Sequence, residues 1–168
     1  MKKIIIGLLA LGLTTQAFTQ ITKVEKLSEV VLRPANYKYL NATDNRTAAI
    51  PVKMLERKVA AYDVTEQEYY QDDYDFYTVS FYIPDGKIVA VYDDKGELMR
   101  TIEKFTDIKL PNSIQTALLD RFPNWTVVDD VYRVTYSENK GAKKTYKLKL
   151  KNGDKTMRVK MADTGEFL

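Results

Sequence analysis

The stretch YDDKGELM, Tyr92 to Met99, returns in paraphrase at the end of the chain as MADTGEFL, Met161 to Leu168. At a shift of 69 residues Asp94, Gly96 and Glu97 meet Asp163, Gly165 and Glu166 identically. Each phrase reads as a strand running into a tight turn, with an aspartate to cap the turn and a glycine for positive φ. Three identities of this kind arise by chance, so the weight of the repeat rests on what precedes each phrase. In the second half, Lys143 to Lys151 alternates strictly, with Tyr146, Leu148 and Leu150 against Lys147, Lys149 and Lys151. After Asn152-Gly153, Lys155 to Met161 alternates again, Met157, Val159 and Met161 inward, Arg158 and Lys160 outward. Period-two alternation with one polar face marks an antiparallel sheet covered on one side. In the first half, Tyr74 to Ile83, the turn Asp85-Gly86, and Lys87 to Asp93 repeat this parity. Tyr77, Val79 and Phe81 fall on Tyr146, Leu148 and Leu150, while Ile88, Ala90 and Tyr92 fall on Met157, Val159 and Met161. Both Asp-Gly and Asn-Gly dipeptides are expected to close hairpins with positive φ.

Working outward, each hairpin is preceded by a helix. Ile50-Pro51 opens one with Met54, Leu55, Val59 and Tyr62 as its apolar positions; Leu110-Pro111-Asn112-Ser113 opens another with Ile114, Ala117, Leu118 and Phe122. These overlay at a shift of 60, with Pro51 on Pro111. The nine-residue difference lies between helix and hairpin, where the second copy carries an additional strand, Thr126 to Tyr136. The reading is a duplication: an α+β fold of tandem helix-plus-antiparallel-sheet modules, helices on one face of the sheet, over 50–104 and 105–168. Residues 20–49 form an N-terminal extension with a short strand at Glu29 to Leu32, stopped by Pro34. Tyr37 to Leu40 offers a second strand. One of the two is expected to fill the place the first copy leaves empty.

Residues 1–19 read as a secretory signal peptide: Lys2 and Lys3, an apolar run from Ile4 to Leu13, and small residues at Thr15, Ala17 and Thr19. Cleavage falls before Gln20 or after Ala17. The chain is therefore expected to be exported, to the periplasm or the medium. Removing Lys2 and Lys3 reduces 26 basic side chains to 24 against 23 acidic ones, so the overall charge selects no polyanion. An exported chain with no cysteine has only its core to hold it together.

The sequence resembles the secreted PepSY-like family, whose fold is related to that of the beta-lactamase inhibitor protein. The resemblance is carried by L-P-x-x-I-x-x-A-L (Leu110 to Leu118), R-F-P-N-W after it, Y-x-L-x-L from Tyr146 and the terminal A-D-T-G-E-F-L. It covers roughly residues 105 to 168 well and 50 to 100 less well. It implies helices on one face of an antiparallel sheet and an extracytoplasmic binding or inhibitory role, with no catalytic residue and no cofactor.

The residues agree. With neither histidine nor cysteine, the commonest general base, the thiol nucleophile and the soft metal ligands are missing. A carboxylate-pair hydrolase needs only acids, and Asp72, Asp73 and Asp75, or Asp129 and Asp130, are its candidates, against a reading as solvated acids at strand ends. Asp93, Asp94 and Glu97 fail the spacing of a calcium loop. Two surfaces point to binding. Alternation sends Tyr74, Phe76, Thr78, Ser80 and Tyr82 to the face opposite Tyr77, where aromatics suit a protein partner unless another segment covers them. Lys147, Lys149, Lys151, Arg158 and Lys160, with Arg133 on the neighbouring strand, line a basic face. That face suits an acidic protein or an anionic surface polymer, or serves only solubility and edge protection. The expected partner is another extracytoplasmic protein, with no nucleic acid and no membrane span after signal removal.

Overall fold

The computed structural model describes residues 34–43, 48–71 and 73–168. Among the described residues three helices, α1 (Pro34–Thr43), α2 (Ile50–Ala61) and α3 (Asn112–Arg121), join six strands in an α+β fold. The strands are β1 (Phe76–Ile83), β2 (Gly86–Asp93), β3 (Leu98–Thr106), β4 (Thr126–Ser137), β5 (Gly141–Asn152) and β6 (Lys155–Ala162). They form one antiparallel sheet in chain order, β1 to β6. The sheet runs without a break through β3–β4 pairing, Arg100↔Ser137 to Thr106↔Val131. The boundary expected at 104/105 thus falls inside β3. The expected signal segment and the strand at Glu29 to Leu32 lie outside the described residues.

The helices lie on one face. α2 rests on β1 and β2, and α1 on β3, β4 and β5. α3 meets the end of β6, where Phe122 packs edge-on against Phe167 at 5.7 Å. Beneath them, inward side chains form rows across the sheet. The longest runs Ile83–Gly86–Phe105–Tyr132–Tyr146–Met161 through direct cross-strand partners on all six strands. Tyr132 stacks on Tyr146 at 4.6 Å, and Phe105 lies 6.2 Å from Tyr132. Such aromatic pairs add about 1 kcal/mol each beyond the area they bury.

The repeated phrase builds the same turn twice. Asp93 N donates to Glu97 O at 3.0 Å and Gly96 N to Asp93 O at 3.1 Å. At the 69-residue shift, Ala162 N donates to Glu166 O at 2.8 Å and Gly165 N to Ala162 O at 3.0 Å. Gly96 and Gly165 have φ of 77° and 95°, which a Cβ disfavours. At Gly165 a Cβ would also stand 2.9 Å from Ser113 O, so α3 seats directly on this turn. The capping aspartate is not the shared one. Asp93 Oδ1 accepts from Lys95 N at 3.0 Å and Glu97 N at 2.7 Å, and its counterpart is Ala162. The shared Asp94 and Asp163 instead offer carbonyls, to the Tyr70 hydroxyl at 2.9 Å and the Ser113 hydroxyl at 3.2 Å.

Four expectations are corrected. First, Tyr37 to Leu40 lies in α1, a helix. Pro34 opens it, as suits a residue with fixed φ and no N–H to place. Its buried side chains Asn36, Tyr39 and Thr43 sit at helical spacing but are largely polar, which hid the pattern. The extension therefore fills a gap in the helix layer. Second, Met54 is 58% exposed while Glu56 is buried. The helix overlay at 60 sets buried Ile114 on exposed Met54; a shift of 59 sets Ile114 and Leu118 on buried Leu55 and Val59. Proline fixes where a helix starts, whereas packing decides which face turns inward. Third, β3 was not expected, because Ile102 faces out and Glu103 faces in, which inverts the alternation.

The fourth concerns Gly86, whose φ is not positive; the hairpin loop is Pro84-Asp85, and Gly86 already pairs with Ile83 and Phe105. The glycine is needed because the Phe105 ring lies over it. A Cβ would stand 2.4 Å from Phe105 Cδ1 and 2.9 Å from Ile83 Cγ1. Neither Phe105 nor the doubly paired backbone has room to move. Gly86→Ala is therefore expected to cost about 2 kcal/mol in urea unfolding, a typical overpacking penalty. A cost under about 0.5 kcal/mol would show that the ring slides aside.

Candidate functional site

The face of the sheet away from the helices carries the chemistry. No described residue packs a second layer on it. From β1 to β6 its side chains change from aromatic and hydroxyl to apolar to basic. On β1 these are Phe76, Thr78, Ser80 and Tyr82, with Phe76 63% and Tyr82 64% exposed. Val89 and Val91 on β2 and Ile102 on β3, 54% exposed, follow. Basic side chains then dominate: Lys87, Arg100, Lys104, Arg133, Lys143, Lys147, Lys149, Lys151, Arg158 and Lys160, ten among the described residues. Against them the described strands place two acids on this face, Asp93 and Asp129. A nearly neutral chain has thus sorted its charges, and a face carrying a net charge of eight sets up a local potential that the global balance conceals.

Register decides how these groups meet. Lys147 lies directly opposite Lys160, and Lys149 directly opposite Arg158. Like charges in direct cross-strand pairs destabilise a sheet by a few tenths of a kcal/mol or more. Edge protection does not account for those on β5, which is flanked by β4 and β6. Asp129 faces Lys149 from the other side and offsets part of the repulsion. The four cations, with Asp129, Val131 and Leu168, line a shallow depression of about 480 Å3.

The structure brings Arg133, Lys147, Lys149, Lys151, Arg158 and Lys160 onto one face, as the alternation implied. It also adds Lys87, Arg100, Lys104 and Lys143. Lys87, Lys104 and Arg133 form an unbroken cross-strand row that starts at Tyr82. The Lys87 ammonium sits 5.3 Å from the centre of the Tyr82 ring. Phe76 and Tyr82 share the face with the basic strands but stand four strand spacings from β5, about 19 Å. Two of the added cations, Arg100 and Lys104, sit on β3, the strand that the sequence did not reveal; their spacing of four residues puts them on one face only once β3 is known to be a strand.

Tyr74 departs from that face. Its ring stands edge-on to Tyr77, 6.2 Å away on the helix-covered side. It belongs to a tyrosine cluster that pins the segment between α2 and β1. Tyr70 stacks on Tyr77 at 5.4 Å, the Tyr77 hydroxyl donates to Gln71 O and accepts from Gln71 N, and the hydroxyls of Tyr62 and Tyr69 meet at 2.6 Å. Burial and the bond to Tyr62 push the Tyr69 hydroxyl up to about 12.

The carboxylates do not assemble. Asp129 and Asp130 are neighbours on a strand and point to opposite faces. Asp130 is buried and accepts from Ile108 N at 3.3 Å, and burial pushes its carboxyl upward. Asp73 and Asp75 are exposed, and Asp72 lies outside the described residues. Asp93 spends its carboxylate on the turn.

No protein-family model matches the chain, and no curated protein matches it. Among solved structures, a BLIP-like protein from Bacteroides fragilis is similar to it, with 15% identity and a TM-score of 0.32 over 84% of this chain and 86% of that one. Among the described residues no helix is long and apolar enough to cross a membrane.

Proposed function

We propose that this chain is a non-catalytic, extracytoplasmic binding module of PepSY-like type that captures an acidic surface of another exported protein on its open sheet face, with inhibition of that protein as one outcome. The observation that carries the reading is the pair of like-charge contacts, Lys147 opposite Lys160 and Lys149 opposite Arg158, on a face whose charge is otherwise one-sided. Repulsion of this kind is relieved by an anionic ligand. A protein is favoured over a bare polyanion because exposed Ile102, Phe76 and Tyr82 share the face and give apolar contact that a charged polymer does not use. The binding of an anionic surface polymer is the second reading, favoured by the depression lined with four cations.

The test uses poly-L-glutamate as the acidic probe and inorganic polyphosphate as the polymer probe, alongside capture from an envelope extract. Affinity for poly-L-glutamate is expected to fall at least tenfold between about 50 and 300 mM salt, because several ion contacts are screened together. The double variant Lys147→Glu/Lys149→Glu is expected to lose binding at low salt while keeping its melting temperature. Binding that ignores both salt and charge reversal would overturn the proposal. Ile102→Ala and Phe76→Ala weaken capture of envelope proteins under the first reading and leave polyphosphate binding unchanged; polyphosphate binding with no captured protein selects the second.

A further inference from the structure

The strand β1 forms one edge of the sheet, and no described backbone group hydrogen-bonds to its outer side. Exposed edges are ordinarily blunted by charge, proline or a bulge. Phe76 to Tyr82 has none of these: it reads FYTVSFY and pairs with β2 without a register shift. By contrast, the β6 edge carries Arg158 and Lys160 and is partly closed by the chain itself, through the Met161↔Phe167 bridge and the bond from Leu168 N to Lys160 O at 2.8 Å.

The unprotected edge is also self-complementary. Read outward from Val79, the segment is symmetrical in chemistry: Thr78 and Ser80, then Tyr77 and Phe81, then Phe76 and Tyr82. An antiparallel pairing about a two-fold axis at Val79 preserves strand parity, so every residue keeps its face. On the open face Phe76 then lies opposite Tyr82 of the second copy, and Thr78 opposite Ser80. On the helix-covered face Tyr77 lies opposite Phe81, and Val79 opposite itself. Each contact away from the axis occurs twice by symmetry, as an isologous interface requires. Aromatic–aromatic and hydroxyl–hydroxyl cross-strand pairs are among the stabilising ones.

We infer that β1 is a homodimerisation edge: two copies of this chain join antiparallel through Phe76–Tyr82 into one continuous twelve-stranded sheet. Electrostatics permit it. Uncharged strands meet at the seam, and the nearest cation, Lys87 on β2, falls in one cross-strand row with Tyr82, Phe76 of the second copy and Asp93 of the second copy, so it faces an opposite charge; Arg100 and Lys104 on β3 lie two strand spacings away, about 10 Å, beyond the screening length at physiological salt. The dimer sets the rings of Phe76 and Tyr82 from both copies side by side between two basic fields. It does not depend on which ligand those fields hold.

The experiment is sedimentation velocity on the chain from low micromolar to several hundred micromolar. A concentration-dependent shift from monomer to dimer is expected. Thr78→Lys/Ser80→Lys places lysine opposite lysine in this register and is expected to weaken dimerisation at least tenfold. Thr78→Lys/Ser80→Glu places lysine opposite glutamate and is expected to restore it. Both positions are exposed in the monomer, so circular dichroism melting should not move. Because the chain has no cysteine, Val79→Cys gives a single thiol at the axis, expected to oxidise to a covalent dimer, whereas Thr78→Cys, two residues out of register with itself, should not. A monomer at every concentration, or a dimer indifferent to the two charge pairs, would overturn the inference.

Discussion

Raising the pH from about 5 to about 8 is expected to destabilise the folded chain by about 3 kcal/mol, and Glu103→Gln to remove most of that loss. Glu103 is 1% exposed on the helix-covered face of β3. Its Oε1 accepts from the Tyr39 hydroxyl at 2.9 Å and the Thr101 hydroxyl at 2.6 Å, and its Oε2 has no hydrogen-bond partner among the described residues. Burial pushes the carboxyl up to about 7; the two hydroxyls and the Lys144 ammonium pull it down but do not win. In the unfolded chain the same group titrates near the ordinary glutamate value of 4.5. Between those values the folded state holds a proton that the unfolded state has released. Stability is therefore fully present below about 4.5, falls as pH rises, and levels off above about 7. A glutamine keeps an acceptor for both hydroxyls and has nothing to ionise. Thermal melts from about pH 5 to 8 should show the parent losing roughly 10 °C and the variant staying nearly flat. Equal slopes in parent and variant would place the titrating group elsewhere.

The second large effect is expected at Asn36. This fully buried side chain on α1 reaches both other parts of the core: its Nδ2 donates to Ala60 O on α2 at 2.9 Å, and its Oδ1 accepts from Leu98 N on β3 at 2.9 Å. Asn36→Ala leaves a backbone carbonyl and a backbone N–H buried without partners. Each such loss costs about 1–3 kcal/mol, so the variant is expected to lose roughly 3 kcal/mol in urea unfolding. Asn36→Asp keeps the acceptor for Leu98 but removes the donor to Ala60, and should fall between parent and alanine only at acid pH, where the new carboxyl is neutral. A cost below about 1 kcal/mol for the alanine variant would mean that water takes over both bonds and α1 is weakly held.

These two side chains mark where reading from sequence stopped. Asn36 and Tyr39 place α1 over the centre of the sheet, and Glu103 receives Tyr39 from below. All three break the rule that the inward face is apolar, so the helix resembled a strand and β3 resembled nothing. The strands β1, β2, β5 and β6 are legible because their alternation is clean, and β4 because of its run of strand-forming residues. Six of the ten cations on the basic face are legible in the sequence, since those from Lys147 onward on β5 and β6 show their parity locally and Arg133 lies on the neighbouring strand. Lys104 and Arg100 were not, because they ride on the strand whose parity Glu103 obscures. Alternation misplaces Tyr74 because β1 starts at Phe76, and before it the chain is not a strand.

The sequence by itself determined the parity of four strands, the existence of a fifth, the repeated glycine turn, the starts of two helices and the one-sided charge of β5 and β6, since each depends on neighbours within a few residues. Only the tertiary structure decided that the two halves share one sheet, that α1 completes the helix layer, and that cations from five strands gather on a single face. Those outcomes depend on which strand lies beside which, and on buried hydrogen bonds between residues up to 64 positions apart. No local pattern encodes pairing across such distances; it is settled only when the polar groups find partners as the core closes.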